Sequence, residues 1–413
     1  MRIGIVGLGL GLGRTGGVQV YLRELLRALA AHGDAGDEYL LVASEEEAAL
    51  APAETAGRIG LLRLAGASPS SARRRLTTLA KLIPGLPLPP DPLARALDAL
   101  GLDLLHFPGT RVHPFPRSTP FTLTFFDLQE RFLPGFFSWR ERLAREADNR
   151  RALAMARSVL APTRFTAGCL EDAYRGVAAK LAVVPVGVSD RFLPTPDPGE
   201  GERLRARYRV PAGSYVFYPA NPWPHKNHRR LFEAVRLAGQ RLRLGLPVVC
   251  TGRLQGEQRS LANLAQGAGL ASEQLRDLGF VAEEDLPALY RSARLLAFPS
   301  LFEGFGMPLL EAMACGCPVA SSTASCLPEV GGDAARFFDP GSPAAIAEAL
   351  AEVWEEGPPR RSLIERGLAR AESMRWVRVM PALLRAYRSA GSSADSRPGP
   401  SASHSSSIRS VNN

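Results

Sequence analysis

In the stretch FPSLFEGFGMPLLEAM, residues 298–313, two carboxylates stand eight positions apart. Glu303 precedes Gly304 and Gly306, and Glu311 lies inside the helical run that Pro308 opens. Proline suits a first helical position because its backbone angle is already helical and its missing N–H would have no partner there. Glycines let a ligand come close to the backbone. The unpaired N–H groups of a first helical turn then face that ligand, and phosphate is their natural guest. A loop acid and a helix acid so placed can hold hydroxyl groups at two ends of a phosphorylated sugar nucleotide. No further acidic partner stands nearby to make them a metal pair. Acids beside glycine turns and helix starts are also common for dipole reasons, so the pair gains meaning only from its company.

A second glycine cluster lies in GLGLGRTGGVQVYL, residues 9–22, where Gly11, Gly13 and Gly16 match G-x-G-x-x-G. A dinucleotide enzyme needs an acidic residue at the end of the next strand. Asp34 and Asp37 come before the strand YLLVAS instead. A nicotinamide cofactor is therefore the weakest reading, and Gly16–Gly17 are read as lining a cleft. No D-x-D metal motif sits on a suitable loop, and no resident cofactor or metal is expected.

The cysteines Cys169, Cys250, Cys315, Cys317 and Cys326 are odd in number and lack C-x-x-C spacing. This argues against structural zinc and a disulfide framework, and fits a reducing cytoplasm. Net charge is +9, which fits nucleic acid, an anionic membrane surface or phosphorylated substrates. No aromatic-basic RNA motif or zinc finger accompanies the charge, so nucleic acid is set aside. Residues 71–89 and 139–157 are dense in Lys and Arg. They read as solvated surface or as docking on an anionic membrane, where each Lys or Arg contributes about 1 kcal/mol. No apolar run is long enough to span a bilayer, and the N-terminus lacks a signal-peptide pattern.

These residues need elements to hold them. RIGIVGL, YLLVAS, LDLLHFP, FTLTFFD, SVLAPT and LAVVPVGV read as buried strands alternating with helices, the pattern of a parallel sheet covered on both faces. SDRFLPTPDPGEGERLRARYRV reads as a linker. YVFYPA, LPVVCTG, LRDLGFV, RLLAFPS, CPVASS and ARFFDP then form a second α/β series. The expected architecture is two Rossmann-like domains facing a central cleft, residues 1–190 and 191–375. A helix over 376–391 would cross back to the first domain, and a Ser-rich tail over 392–413 is expected to be disordered.

EGFGMPLLEAMACGCPV, with GFVAEEDLPALYRSARLLAFPS before it and GDAARFFDPGSPAAIAEAL after it, resembles the donor signature of glycosyltransferase family 4, retaining enzymes of GT-B fold. PHKNHRRLFEA, APTRFTAGCL and LAVVPVGVSDRF extend the likeness over nearly the whole chain. The resemblance implies that Glu311 holds the ribose and that Glu303, with the backbone of Gly304, Phe305, Gly306 and Met307, holds the donor sugar. Lys226 would bind the diphosphate. It further implies transfer of a hexose, mannose favoured, from a GDP- or UDP-linked sugar to a glycan or lipid-linked acceptor in envelope or polysaccharide biosynthesis. Such an enzyme would be metal-independent and cytoplasmic, peripheral on the inner face of the plasma membrane.

Two departures from the family pattern stand out. Phe126 occupies the place of a common histidine, so its role would pass to Asp127 or His106. The arginine usual before the lysine is missing from YPANPWPHKN, leaving Arg253 as a substitute, with His225 as an added donor or a helix cap. The alternative is a catalytically weak or inactive relative that binds a nucleotide sugar or partner. A GT-B epimerase would need a richer set of acids and histidines than six His supply.

Overall fold

The computed structural model describes residues 1–10, 16–64, 90–211, 214–252 and 260–391. Gly11, Gly13, Arg253, the basic stretch 71–89 and the tail 392–413 lie outside the described residues. Seven strands form the first sheet: β1 Arg2–Val6, β2 Glu38–Ala43, β3 Ile59–Arg63, β4 Leu104–Phe107, β5 Phe121–Thr124, β6 Ser158–Ala161 and β7 Leu181–Val183. Six form the second: β8 Val216–Pro219, β9 Val248–Thr251, β10 Leu275–Asp277, β11 Leu295–Phe298, β12 Val319–Ser322 and β13 Ala335–Phe338. Every pairing is parallel. Central strands such as β4 and β11 are buried along their whole length, as sheets covered by helices on both faces require.

The strand orders are β3-β2-β1-β4-β5-β6-β7 and β10-β9-β8-β11-β12-β13. Each order reverses once, between β1 and β4 and between β8 and β11. Loops leaving the carboxyl ends of two strands at such a point diverge to open a crevice, where ligands of this architecture bind.

β3 is absent from the sequence reading. It is an edge strand with most residues only partly buried, and Gly60 within it lies where a Cβ would meet Leu40 Cδ2 at 2.4 Å. The stretch read as a linker also differs. It contains the helix Glu200–Tyr208, anchored where Arg291 Nε donates to Glu200 at 2.9 Å. A buried ion pair has overridden the helix-breaking composition of its flank.

The chain passes between the sheets twice, and the two passages are tied together. The Val188 N–H donates to the Met374 carbonyl at 2.9 Å. The buried Arg375 guanidinium donates to the carbonyls of Ser189 (2.7 Å) and Phe192 (2.9 Å). The last helix, Trp376–Gly391, packs on the helix Gly17–His32 and against β4, β5 and β6. One apolar core runs through both halves by way of Val186, Val188, Phe192 and Trp376. No helix among the described residues is long and apolar enough to cross a membrane.

Candidate functional site

Because β8 and β11 are hydrogen-bonded neighbours, the loops at their carboxyl ends meet. Lys226, in the turn after β8, donates through Nζ to both oxygens of Glu303, in the loop after β11, at 2.7 and 2.9 Å. Both side chains are mostly buried. The two loops are stitched together around the pair: the Leu301 N–H donates to the His225 carbonyl at 2.8 Å, and the Tyr218 hydroxyl donates to the Lys226 carbonyl at 2.7 Å. Asn227 was not among the sequence candidates, yet it anchors this turn. At φ 62° it enters the helix His228–Leu242, and its Nδ2 donates to the carbonyls of Pro299 (3.0 Å) and Pro340 (2.9 Å). An asparagine just before a helix tolerates that left-handed angle better than most residues.

The loop after β11 is held from its far side. Ser325 Oγ accepts the Glu303 N–H at 2.9 Å, and the Cys326 thiol lies 3.2 Å from the Glu303 carbonyl. Gly306 has φ 91° and a Cβ there would strike Leu327 Cδ2 at 2.7 Å, so glycine alone fits. The helix Met307–Ala314 follows. On it, Glu311 accepts a hydrogen bond from the Tyr290 hydroxyl at 2.7 Å. Burial pushes the Glu311 carboxyl up to about 7, opposed by that hydrogen bond and by Arg191, and reinforced by the negative charges of Glu24 and Glu283.

A raised carboxyl pKa means that the folded chain keeps a proton the unfolded chain gives up. Stability from this group is therefore lost as pH rises from the ordinary glutamate range towards 7. Glu311→Gln, which does not titrate, is expected to gain about 2 kcal/mol relative to the parent between pH 5 and pH 8. Denaturant unfolding at the two pH values measures this; an unchanged gap would contradict the buried placement of Glu311.

Residues of the first half close over these loops. A Cβ on Gly304 would lie 2.8 Å from the Phe126 carbonyl oxygen, which also accepts from Thr166 Oγ1 at 3.2 Å. The Phe126 ring stands edge-on to Tyr21 at 5.1 Å. The next residue, Asp127, accepts the Gln129 N–H at 3.2 Å. Burial raises the Asp127 pKa, with Glu303 adding and the Gln129 N–H, Arg145 and Lys226 opposing, so Asp127 senses the ion pair across the cleft. Gly16, at φ 42°, faces Asn221, whose Nδ2 would lie 3.8 Å from a Cβ there, and a Cβ on Gly17 would meet nothing within 4 Å. Phe305 and Met307 line the cleft beside Glu311.

His106 does not reach the cleft, which corrects one sequence alternative. It is fully buried, with Nδ1 2.6 Å from the Tyr387 hydroxyl and Nε2 2.9 Å from Thr124 Oγ1. It ties the last helix to the first sheet. His225 is held neutral at pH 7, its pKa lowered to about 4 by burial and then by Lys226. It contributes its backbone carbonyl to the site.

Sequence reasoning missed the contacts that span the two halves. The Glu329 carboxylate accepts the N–H groups of Arg164 (2.7 Å) and Phe165 (2.9 Å), at the start of the helix Arg164–Ala173. Phe132 stacks on Phe302 with ring centroids 4.9 Å apart. On the other flank, Arg191 reaches Glu24 at 2.6 Å and Arg23 reaches Glu283 at 3.3 Å. On this second flank a cavity of about 20 Å³ is lined by Glu24, Arg191, Phe305, Met307 and Glu311, among others.

Comparison with known proteins agrees with this architecture. Residues 15–192 match the family described as Glycosyltransferase Family 4, and residues 204–370 match that described as Glycosyl transferases group 1. The chain is 31% identical over 237 residues to the O-antigen chain mannosyltransferase B of Escherichia coli, covering 57% of this chain and 62% of that protein. It is 32% identical over 265 residues to a D-inositol 3-phosphate glycosyltransferase of Salinispora tropica, covering 60% and 54%. The matches thus span less than two thirds of either relative. Among solved structures it is similar to the sucrose-phosphate synthase of Thermosynechococcus elongatus (TM-score 0.72, 19% identity, 95% of this chain and 100% of that one). It is similar also to Anabaena HepE solved with UDP and glucose (TM-score 0.71, 20% identity, 94% and 100%). With two parallel-sheet halves and family matches in both of them, the chain belongs to the family 4 glycosyltransferases of GT-B fold.

Proposed function

We propose that this chain transfers a hexose, mannose in preference, from a GDP- or UDP-linked sugar to a glycan or lipid-linked acceptor in envelope or polysaccharide biosynthesis. The observation that carries the reading is the Lys226–Glu303 pair at the crevice between β8 and β11. It sets a cation and a carboxylate where a sugar diphosphate would lie, and the relatives named as mannosyltransferases support mannose. In this reading residues 191–375 hold the donor, residues 1–190 take the acceptor, and the helix over 376–391 returns to the first of these domains. Glu311 binds the ribose, while Glu303 and the backbone from Gly304 through Phe305 and Gly306 to Met307 bind the sugar. Gly16 and Gly17 leave room for the phosphates, and Asp127 hydrogen-bonds the sugar in place of the absent histidine. The site of action is the cytoplasm, at the inner face of the plasma membrane.

The transfer proceeds with retention and without a metal. An acceptor hydroxyl attacks the anomeric carbon on the face that the diphosphate vacates. The sugar–phosphate C–O bond breaks with its electron pair passing to the phosphate oxygen, which then takes the hydroxyl proton. The protein's part is orientation and charge stabilisation. Lys226, already fixed by Glu303, meets the negative charge as it grows on the leaving diphosphate. The cavity beside Glu311 admits little more than a water molecule, so placing a ribose there requires the elements around it to part and then to close again.

Phe126 favours a second reading, a relative that binds a nucleotide sugar without turning it over, because its ring offers no hydrogen bond. Purified chain incubated with a panel of GDP- and UDP-sugars and candidate acceptors separates the two. Nucleotide release with labelled sugar on an acceptor is expected. Binding without release would support the second reading, and no binding would overturn both.

A further inference from the structure

Besides Lys226, the turn after β8 carries a large aromatic side chain that the fold leaves in solvent: Trp223 is 39% exposed. A lone exposed apolar side chain is ordinary on a protein surface, but this one is rigidly mounted. It stands between Pro222 and Pro224. The first has its φ fixed by its ring, and the second confines the residue before it to extended angles; Trp223 lies at φ −69° and ψ 145°. Its N–H donates to the Asn221 carbonyl at 2.7 Å, and its carbonyl accepts the Lys226 N–H at 2.9 Å. The turn is backed by the end of β9, where a Cβ on Gly252 would lie 2.9 Å from Asn221 Cα. A ring mounted on so fixed a backbone loses little freedom when a ligand covers it.

The chemistry of the turn indicates what the ring holds. Residues 220–227 read ANPWPHKN, with Lys226 as the one residue charged at pH 7, and that ammonium is engaged with Glu303; His225 is neutral at pH 7. Trp223 itself brings an apolar body and one N–H donor. That combination matches a pyranose, which has C–H groups on a face and hydroxyl groups around its edge, better than it matches a phosphate. Opposite the turn, the first half presents bare backbone. Asn221 Nδ2 would lie 3.8 Å from a Cβ on Gly16, and a Cβ on Gly17 would meet nothing within 4 Å. A sugar ring therefore has room between Trp223 and these glycines. In the transferase reading the loop after β11 holds the donor sugar and the first half takes the acceptor. The turn that carries Trp223 is the part of the second half that meets Gly16, so the ring stands on the acceptor's path.

We propose that Trp223 is a specificity residue for the acceptor, its indole stacking on the apolar face of the pyranose that receives the transferred sugar; the acceptor role rests on the transferase reading. The probes are methyl α- and β-pyranosides of mannose, glucose and galactose. They are titrated into the full chain, isotope-labelled at the nitrogens of its four tryptophans, with the Trp223 indole N–H signal assigned by its loss in Trp223→Phe. At least one pyranoside is expected to move that signal in a saturable way. Glucitol, an open-chain polyol with hydroxyl groups but no ring face, is expected to leave it in place. Trp223→Ala should weaken binding of that pyranoside by about tenfold and raise its KM as acceptor to match, with kcat little changed. Trp223→Phe should restore most of both, and nucleotide-sugar binding and melting temperature should match the parent in each variant. No shift with any pyranoside, or an equal shift with glucitol, would overturn the proposal. So would an equal loss of nucleotide-sugar binding in Trp223→Ala, which would make the ring a donor contact. Stacking with no transfer to any acceptor would sink the transferase reading and with it the acceptor role, whereas transfer with an unmoved acceptor KM in Trp223→Ala would sink the stacking alone.

Discussion

Lys226→Ala is expected to lower kcat/KM for sugar transfer by about 10²–10³, the cost of removing one positioned group that meets developing charge. The loss should fall mainly on kcat, because the ammonium acts most strongly when the diphosphate departs. The substitution also leaves the mostly buried Glu303 carboxylate without its counter-charge, so some loss of stability accompanies it. Lys226→Arg separates the two effects. It keeps the charge but does not reproduce the geometry of an ammonium centred on both Glu303 oxygens, so stability should return more fully than turnover. Steady-state kinetics and thermal melts of the three proteins measure this, and full transfer by the alanine variant would remove Lys226 from the chemistry.

Gly304→Val is expected to abolish most turnover while leaving each half folded. A first methyl at this position already lies 2.8 Å from the Phe126 carbonyl oxygen and 3.1 Å from its carbonyl carbon. Both are backbone atoms, held by the Thr166 hydroxyl and by the strand β5 just before them, so they have little freedom to give way. The clash exists only when the two halves meet. It penalises the closed form by about 1–3 kcal/mol, or about 5–150-fold in its population. Nucleotide binding to the separated second half should survive, and solution scattering should report a more extended particle. Unchanged kcat with an unchanged scattering profile would show that this contact plays no part in closure.

The sequence reached different depths for different parts of this molecule. Buried parallel strands announce themselves as apolar runs, so β1, β2 and β4–β13 were legible. The edge strand β3 was not: β7, β10 and β13 are edge strands of similar partial burial, but Gly60 inside β3 weakens its strand pattern. Glu303, Gly304 and Gly306 were legible because glycine turns before a proline-headed helix have few other uses. That Lys226 would grip Glu303 follows from β8 lying beside β11, a crossover that linear order does not reveal. The contacts made by Glu24, Arg191, Glu283 and Glu329 depend on how the two halves face each other, and no local pattern encodes that. His106 illustrates the converse. A histidine at a strand end could serve a cleft or a core, and only the arrival of Tyr387 from the far end of the chain settles it for the core.

A crystal structure of the chain with a GDP- or UDP-sugar bound is the most direct test that the crevice between β8 and β11 grips a leaving diphosphate. Diphosphate oxygens within about 3 Å of Lys226 Nζ, with the ribose hydroxyls on Glu311, are the expected result. A nucleotide lodged instead in the turn that follows β1, with Lys226 still closed on Glu303 and touching nothing of the ligand, would contradict it.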